Sequence, residues 1–546
     1  GFGGYYGPEA GGGMSSRGSM MFVLHAHLPY VNHPGDSAFL EENWFFEAVV
    51  ETYVPIISVL ERLAAEGIRP GVTVSISPTL GAMLENEALE DKLGLYVESR
   101  LELIEKELER VRDDPTLLKT VKFYRKLYGD AAALMHKYSG DLITPLKALQ
   151  HAGQIEIIIT SATHAVLPLL ARPEAVRAQL TAAAEDYEDR FNRKPSGFWL
   201  PECAYEPRLN SCLKLSGFNY TFTESHALNS AAPPNGVYSP YRTSNGLGLF
   251  ARDAASSREV WSSKSGYPGD PAYREFYRDL GYDGDYEYLR PYFGPDGIRR
   301  PLGLKYHRIT GSGADLSSRQ YYDPEAALAR VEAHASDFLA RRMKQTEAFY
   351  AFRGSGPLIV SCYDAELFGH WWFEGPAFLE AVIRKIRVER LPLQFVTPSE
   401  YLNSCQEPRE IIPDISSWGE NGYFDPWVNE TNDFIYPAVY AATDKMIETA
   451  NRFRNQNLST LSARALNQAA RETLLTQSSD WAFLIYIGSH ADYAKGRLEA
   501  HTANAMKLLG EVIAGRVDEQ ALVVLEKQNS VFPRLDFRVF ASVSKF

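Results

Sequence analysis

The sequence predicts an α/β barrel of parallel strand–helix units, followed by a domain of helices. Three observations predict it. Short apolar runs alternate with helical patterns through about the first 400 residues. Polar residues gather directly after those runs. Past about Ser404 the strand signals stop and three helical patterns follow. Seven or eight strand–helix units suggest a barrel rather than an open sheet.

The opening GFGGYYGPEAGGGMSSRGS, residues 1–19, is Gly-rich and lacks an apolar signal core, so it reads as a disordered tail or a cloning scar. Met21–Leu24 is the first strand, and Glu42–Glu66 has helical periodicity. Val72–Ser77 (VTVSIS) and Ile155–Thr160 (IEIIIT) are β-branched strands. Pro173–Arg190 starts with Pro and reads as a helix. Gly197–Leu200, Tyr220–Thr223, Leu247–Ala251, Leu358–Ser361 and Gln394–Thr397 supply the remaining strands. Two regions break the rhythm. Residues 84–150 are long, charged and helical, and read as an inserted subdomain. Residues 225–318 hold a Gly-, Pro- and Tyr-rich excursion, expected to form long active-site loops. Residues 20–404 thus form the barrel unit. Residues 405–546 form the helical one, with Asn429–Phe453, Thr460–Thr476 and Asp492–Gly515 as its helices.

Lys plus Arg total 56 against 69 Asp plus Glu, a net charge of −13 that argues against a nucleic-acid partner. No apolar run reaches the length of a membrane span, so no membrane partner is expected. The four cysteines (Cys203, Cys212, Cys362, Cys405) form no CxxC pair and read as reduced thiols of a cytoplasmic protein. Aromatics reach 12%, which suits a neutral ring-shaped ligand.

The residues after each strand are His25 and His27; Ser161 to His164; Glu202 and Cys203; Glu224; Arg252 and Asp253; and Cys362, Asp364 and Glu366. In a β/α barrel all of these lie on the catalytic face. Three chemistries compete there. His25-x-His27 could begin a metal site with a strand-end Asp, or could be two neutral imidazoles. Glu202 and Asp364, each flanked by aromatics, could be a carboxylate pair for glycosyl chemistry. Cys203 or Cys362 could be a nucleophile, though both read as small buried neighbours. Trp199, Trp371, Trp372, Trp418 and Trp427 lie in or near these segments, and such clusters stack sugar rings. Glu224, Asp253 and Glu366 are reserve acids. The bland role of Glu366 is a buried hydrogen-bond partner. Phosphate-binding loops, nucleophile elbows and dinucleotide fingerprints are missing in usable context.

Five segments occur in order: HAHLPY (25–30), TSATHAVLP (160–168), GFWLPECAY (197–205), YDAELFGHWWFEGP (363–376) and SSWGENGYFDPWVNETNDFIYP (416–437). They resemble glycoside hydrolase family 57, and within it the 1,4-α-glucan branching members. The resemblance implies an incomplete, TIM-like (β/α)7 barrel with an inserted helical subdomain. A C-terminal helical domain would help to build the active site. The same resemblance implies a retaining branching transferase without metal or cofactor, acting on α-1,4-glucans such as amylose, amylopectin and glycogen. Glu202 would be the nucleophile and Asp364 the general acid/base. His25, His27 and His164 would hold the reacting sugar. Trp418 and Trp427 would be platforms, Trp44 would line the groove, and Trp371 would join the substrate contacts. A flexible loop would carry Tyr238 or Tyr241. The expected state is a monomer or weak homo-oligomer. Remaining alternatives are a family 57 α-amylase or 4-α-glucanotransferase, a metal-dependent hydrolase using His25 and His27, and a non-catalytic glucan-binding protein.

Overall fold

The computed structural model describes residues 18–35, 40–311 and 313–543. Seven parallel strands build the barrel wall: β1 (Gly18–Ala26), β2 (Thr73–Ile76), β3 (Glu156–Ile159), β4 (Gly197–Phe198), β5 (Tyr220–Thr223), then, past a two-residue β6 (Tyr241–Arg242), β7 (Gly248–Ala251) and β8 (Leu358–Asp364). Their order is β7-β5-β4-β3-β2-β1-β8. The barrel is incomplete where β7 meets β8, with the Asp253 amide donating across the gap to the Val360 carbonyl at 2.8 Å. β6 pairs antiparallel with β7, and β10 (Arg409–Glu410) extends that edge.

Alternation along the strands separates two cores. Met20, Phe22 and Leu24 of β1 face the outer helices. Met21 and Val23 face the lumen, with Ile158, Trp199, Phe222, Phe250, Leu358, Val360 and Cys362. The lumen is therefore a packed plug, and chemistry is confined to its C-terminal rim. All four cysteines are free, and Cys203 and Cys362 are plug residues whose burial pushes their thiols up.

Several boundaries move from the sequence reading. Gly18 and Ser19 are strand, not tail: their amides donate to Pro392 and Pro357 carbonyls. Residues 1–17 of the expected tail lie outside the described residues. β1 runs on to Ala26 and β8 to Asp364, so His25 and Asp364 sit inside paired strands. β9 (Leu393–Phe395) pairs with Gly18–Met20 at the start of β1 and is not a barrel stave. The helix after β1 is broken by a π turn at Val49–Tyr53, which periodicity does not signal. Residues 84–150 contain helices Glu87–Arg110, Pro115–Lys137 and Ile143–His151. Within 225–318, residues 302–306 pack on those helices: Arg100 donates to the Leu302 carbonyl and Tyr306 to Glu107. The C-terminal helices are Tyr436–Phe453, Thr460–Thr476, Ser479–Ile487, Ala491–Ala514 and Glu519–Gln528. Residues 429–432 are bend and turns and Asp433–Ile435 is a short 3-10 helix, so the α-helix starts only at Tyr436. Among the described residues, no helix is long and apolar enough to cross a membrane.

Candidate active site

Register brings the first two polar groups together. His25 of β1 is level with Ser75 of β2 and Asp364 of β8, so all three share the lumen-facing side of the wall. His25 Nδ1 is 3.0 Å from Ser75 Oγ. Its Nε2 is 2.8 Å from His164 Nε2, so one ring donates and the other accepts. His164 has a left-handed backbone (φ 56°) and stacks face to face on His27 at 3.8 Å. Burial, together with the neighbouring imidazoles, holds the His25 and His164 pKa values well below the ordinary histidine value.

Glu202 arrives from the opposite wall. β4 ends in Phe198, and Pro201 opens a tight turn, Pro201–Cys203. Glu202 sits in the left-handed region there (φ 62°), a strained conformation for a side chain of its size. The turn aims its carboxylate at His164, with Oε1 3.8 Å from Nδ1. The segment after β10 fastens it. Ser416 bridges Tyr205, the Trp418 amide donates to the Glu202 carbonyl at 3.1 Å, and the Trp418 indole N–H donates to Glu202 Oε2 at 2.9 Å. Trp418 in turn packs on Trp199 and Trp261, and the Arg252 guanidinium lies over it at 5.2 Å. Arg252 is ion-paired to Glu224.

Burial pushes Glu202 up to about 8, and the Asp364 charge adds to the rise. Asp364 is raised well above the usual carboxylate range by burial and by Glu366, with Arg252 opposing. Glu202 thus feels the charge of Asp364, and Asp364 that of Glu366. Glu366 has the bland role. It accepts from Tyr53 at 2.5 Å and from the His27 amide at 3.1 Å. Tyr53 is the last residue of the π turn.

Sequence reasoning missed the partners from the C-terminal helices. Ser479 lies 2.7 Å from His164 Nδ1, and both Asp480 oxygens lie 3.1 Å from His27 Nε2. His27 Nδ1 is held by Ser77 at 2.8 Å. Asp480 is kept below its ordinary value by His27 and His164 despite its burial.

Other expected contacts move. Trp427 is 2% exposed and packed among Val166, Ala204, Ile435 and Trp481, so it is a core residue rather than an open platform. Trp371 stacks on Phe276 at the rim. Tyr238 accepts from Gln345 and packs on Phe349. Tyr241 is in β6 and donates to the Gly236 carbonyl, so neither tyrosine stands on a free loop tip. Trp44 meets His490 and Tyr493 edge-on, at the seam with the C-terminal helices.

Every ring nitrogen of His25, His27 and His164 has a partner within the protein. Among the described residues, the three-ligand grouping of metal-binding types is Glu47, Glu51 and His370, not these histidines. Glu51 is already paired with Arg274 at 2.9 Å.

The model of glycosyl hydrolase family 57 matches residues 21–415, and that of the C-terminal region of 1,4-alpha-glucan branching enzymes matches residues 438–540. The chain is 34% identical to the 1,4-alpha-glucan branching enzyme TK1436 of Thermococcus kodakarensis, over 94% of this chain and 77% of that protein. The crystal structure of that enzyme superposes with a TM-score of 0.87 at 32% identity, covering 97% of each chain. The crystal structure of the alpha-amylase AmyC of Thermotoga maritima superposes with a TM-score of 0.90 at 40% identity, covering 96% of this chain and 99% of that one. With the family model matched across its barrel and the branching-enzyme C-terminal model across its helices, the chain belongs to glycosyl hydrolase family 57.

Proposed function

We propose that the chain is a retaining α-glucan branching transferase. It cleaves an α-1,4 bond through a covalent glycosyl-enzyme and passes the chain to a glucan 6-hydroxyl. The observation that carries this reading is that Glu202 and Asp364 stand at the C-terminal ends of the barrel strands β4 and β8, near enough for the charge of Asp364 to raise Glu202, with the Trp418 indole N–H donating to Glu202. Two buried acids at one site share a proton unevenly. The Trp418 N–H stabilises the ionised form of Glu202, whereas Asp364 caps no backbone N–H. Glu202 then attacks the anomeric carbon while Asp364 protonates the leaving oxygen. In the second half, Asp364 takes the proton of the incoming 6-hydroxyl. In this reading sugar hydroxyls take the place of one of the present partners of His25, His27 and His164.

The match of residues 438–540 to the branching-enzyme C-terminal model supports transfer over hydrolysis. We also read 20–404 as the catalytic unit and 405–546 as the unit that supplies Trp418, Ser479 and Asp480. The substrate is an α-1,4-glucan, and the free cysteines suit a cytoplasmic setting. The similarity to the alpha-amylase AmyC favours one second reading, hydrolysis at the same site. Amylose incubated with pure protein and then debranched decides between them. New α-1,6 linkages are expected. Shortened linear chains alone would overturn the transfer reading.

A further inference from the structure

We propose that Arg252 is a positioning residue for the carboxyl pair: its guanidinium spans the open side of the barrel and ties the Asp364 strand, the Glu224 loop and the Trp418 indole into one cluster. The proposal rests on the two-carboxyl reading above and adds a residue to it. Arg252 follows β7, and its amide donates to the Thr223 carbonyl at the end of β5 at 2.9 Å. The next amide, that of Asp253, reaches the Val360 carbonyl of β8. The side chain crosses the same gap further toward the rim, with Nη2 3.4 Å from the Cys362 carbonyl, two residues before Asp364. Nη1 donates to Glu224 Oε1, and Glu224 Oε2 accepts from the Ser225 amide at 3.2 Å. The third contact is the Trp418 ring, 5.2 Å from the guanidinium carbon, whose N–H is the donor to Glu202.

Packing alone does not account for such an arginine. It is 7% exposed, and its Nε is buried without a hydrogen-bond partner. A buried guanidinium with an unused donor is costly, and an apolar side chain would fill the gap at lower cost. The retaining reaction gives the charge a use. Before attack the negative charge is on Glu202 and the proton on Asp364. When the Glu202 oxygen bonds the anomeric carbon, the glycosidic C–O bond breaks and the Asp364 proton goes to the leaving oxygen. The negative charge has then moved to Asp364, because the ester on Glu202 is neutral. A fixed guanidinium beside that strand stabilises the carboxylate that must next take a proton from the acceptor hydroxyl. The charge of Arg252 opposes the upward pull of burial and Glu366 on Asp364. Glu202, Tyr53 and, level with it on β1, His25 also surround Asp364, while Cys203 and Cys362 lie near Arg252.

The test is the pH profile of kcat/KM on amylose, with thermal melts to check that each variant folds. Arg252→Met should lower kcat about 10- to 100-fold and move the basic limb, set by Asp364 as acid, up by about one pH unit. Glu224→Gln leaves the guanidinium uncompensated and should move that limb down by about one pH unit. Arg252→Lys keeps the charge but not the planar bridge, so the limb should return while kcat stays reduced. An arginine that only fills space would give no opposed shifts. A basic limb unmoved in both Arg252→Met and Glu224→Gln, or moved the same way in both, overturns the proposal. Should Arg252→Met not fold, the sign of the Glu224→Gln shift decides alone. Asp364→Asn is the control, and full activity on amylose there would sink the carboxyl pair and the proposal with it. Opposed shifts in an enzyme that makes only shortened linear chains would keep the role of Arg252 and sink the transfer reading.

Discussion

Trp418→Phe isolates the one hydrogen bond that distinguishes the two carboxyls. The substitution deletes the indole N–H that reaches Glu202 Oε2 at 2.9 Å, while the amide bond from residue 418 to the Glu202 carbonyl survives. A hydrogen bond to a buried carboxylate contributes about 1.5–3 kcal/mol. At about 1.4 kcal/mol per pKa unit, Glu202 should rise by about one to two units. The acid limb of kcat/KM should move up by the same amount, and below that limb the rate should fall about 10- to 100-fold. The assay is amylose consumption followed across pH by iodine staining. Trp261→Phe is the control, because Trp261 touches Trp418 edge-on at 5.8 Å and bears on Glu202 only through it. The control should leave the limb in place. An unmoved limb in Trp418→Phe would refute the claim that this indole sets the ionisation of Glu202.

Glu202→Gln should stabilise the fold in a pH-dependent way. The folded pKa of Glu202, about 8, lies above the ordinary glutamate value of 4.5, so the native state binds the proton more tightly and ionisation costs stability as pH rises through that window. Denaturant titrations should show a gain of about 4 kcal/mol at pH 8 and almost none at pH 4. Asp480→Asn should lower kcat/KM about 5- to 50-fold by removing the carboxylate that fixes His27. Initial rates on amylose would measure the loss. Gly369→Ala should destabilise by more than about 2 kcal/mol, since both its φ of 113° and the Glu51 carbonyl oppose a side chain. Chemical denaturation would measure that cost.

The barrel and half of its site were legible because strand ends are marked twice, by the apolar run that stops and by the polar residue that follows. His25, His27, His164, Glu202 and Asp364 all stand at such points. Ser479 and Asp480 were not legible. They lie 315 and 453 residues from the histidines they hold, and Ser-Ser-Asp before an apolar run reads as an ordinary helix start. Ser478 does cap that helix. Trp427 and Trp371 sit in irregular segments, where no periodicity separates a buried face from an open one. Burial reversed the expectation for the first, and the stack on Phe276 redefined the second. The π turn, which brings Tyr53 to Glu366, has no pattern to read.

Trapping the glycosyl-enzyme tests the nucleophile directly. Asp364→Asn protein is given an activated maltosyl fluoride, which needs no acid to leave, and the peptides are then sequenced by mass spectrometry. The account predicts a stoichiometric glycosyl ester on the peptide containing Glu202. An ester on Glu366, Asp480 or any other carboxyl, or turnover to the inverted anomer with no ester at all, would contradict it.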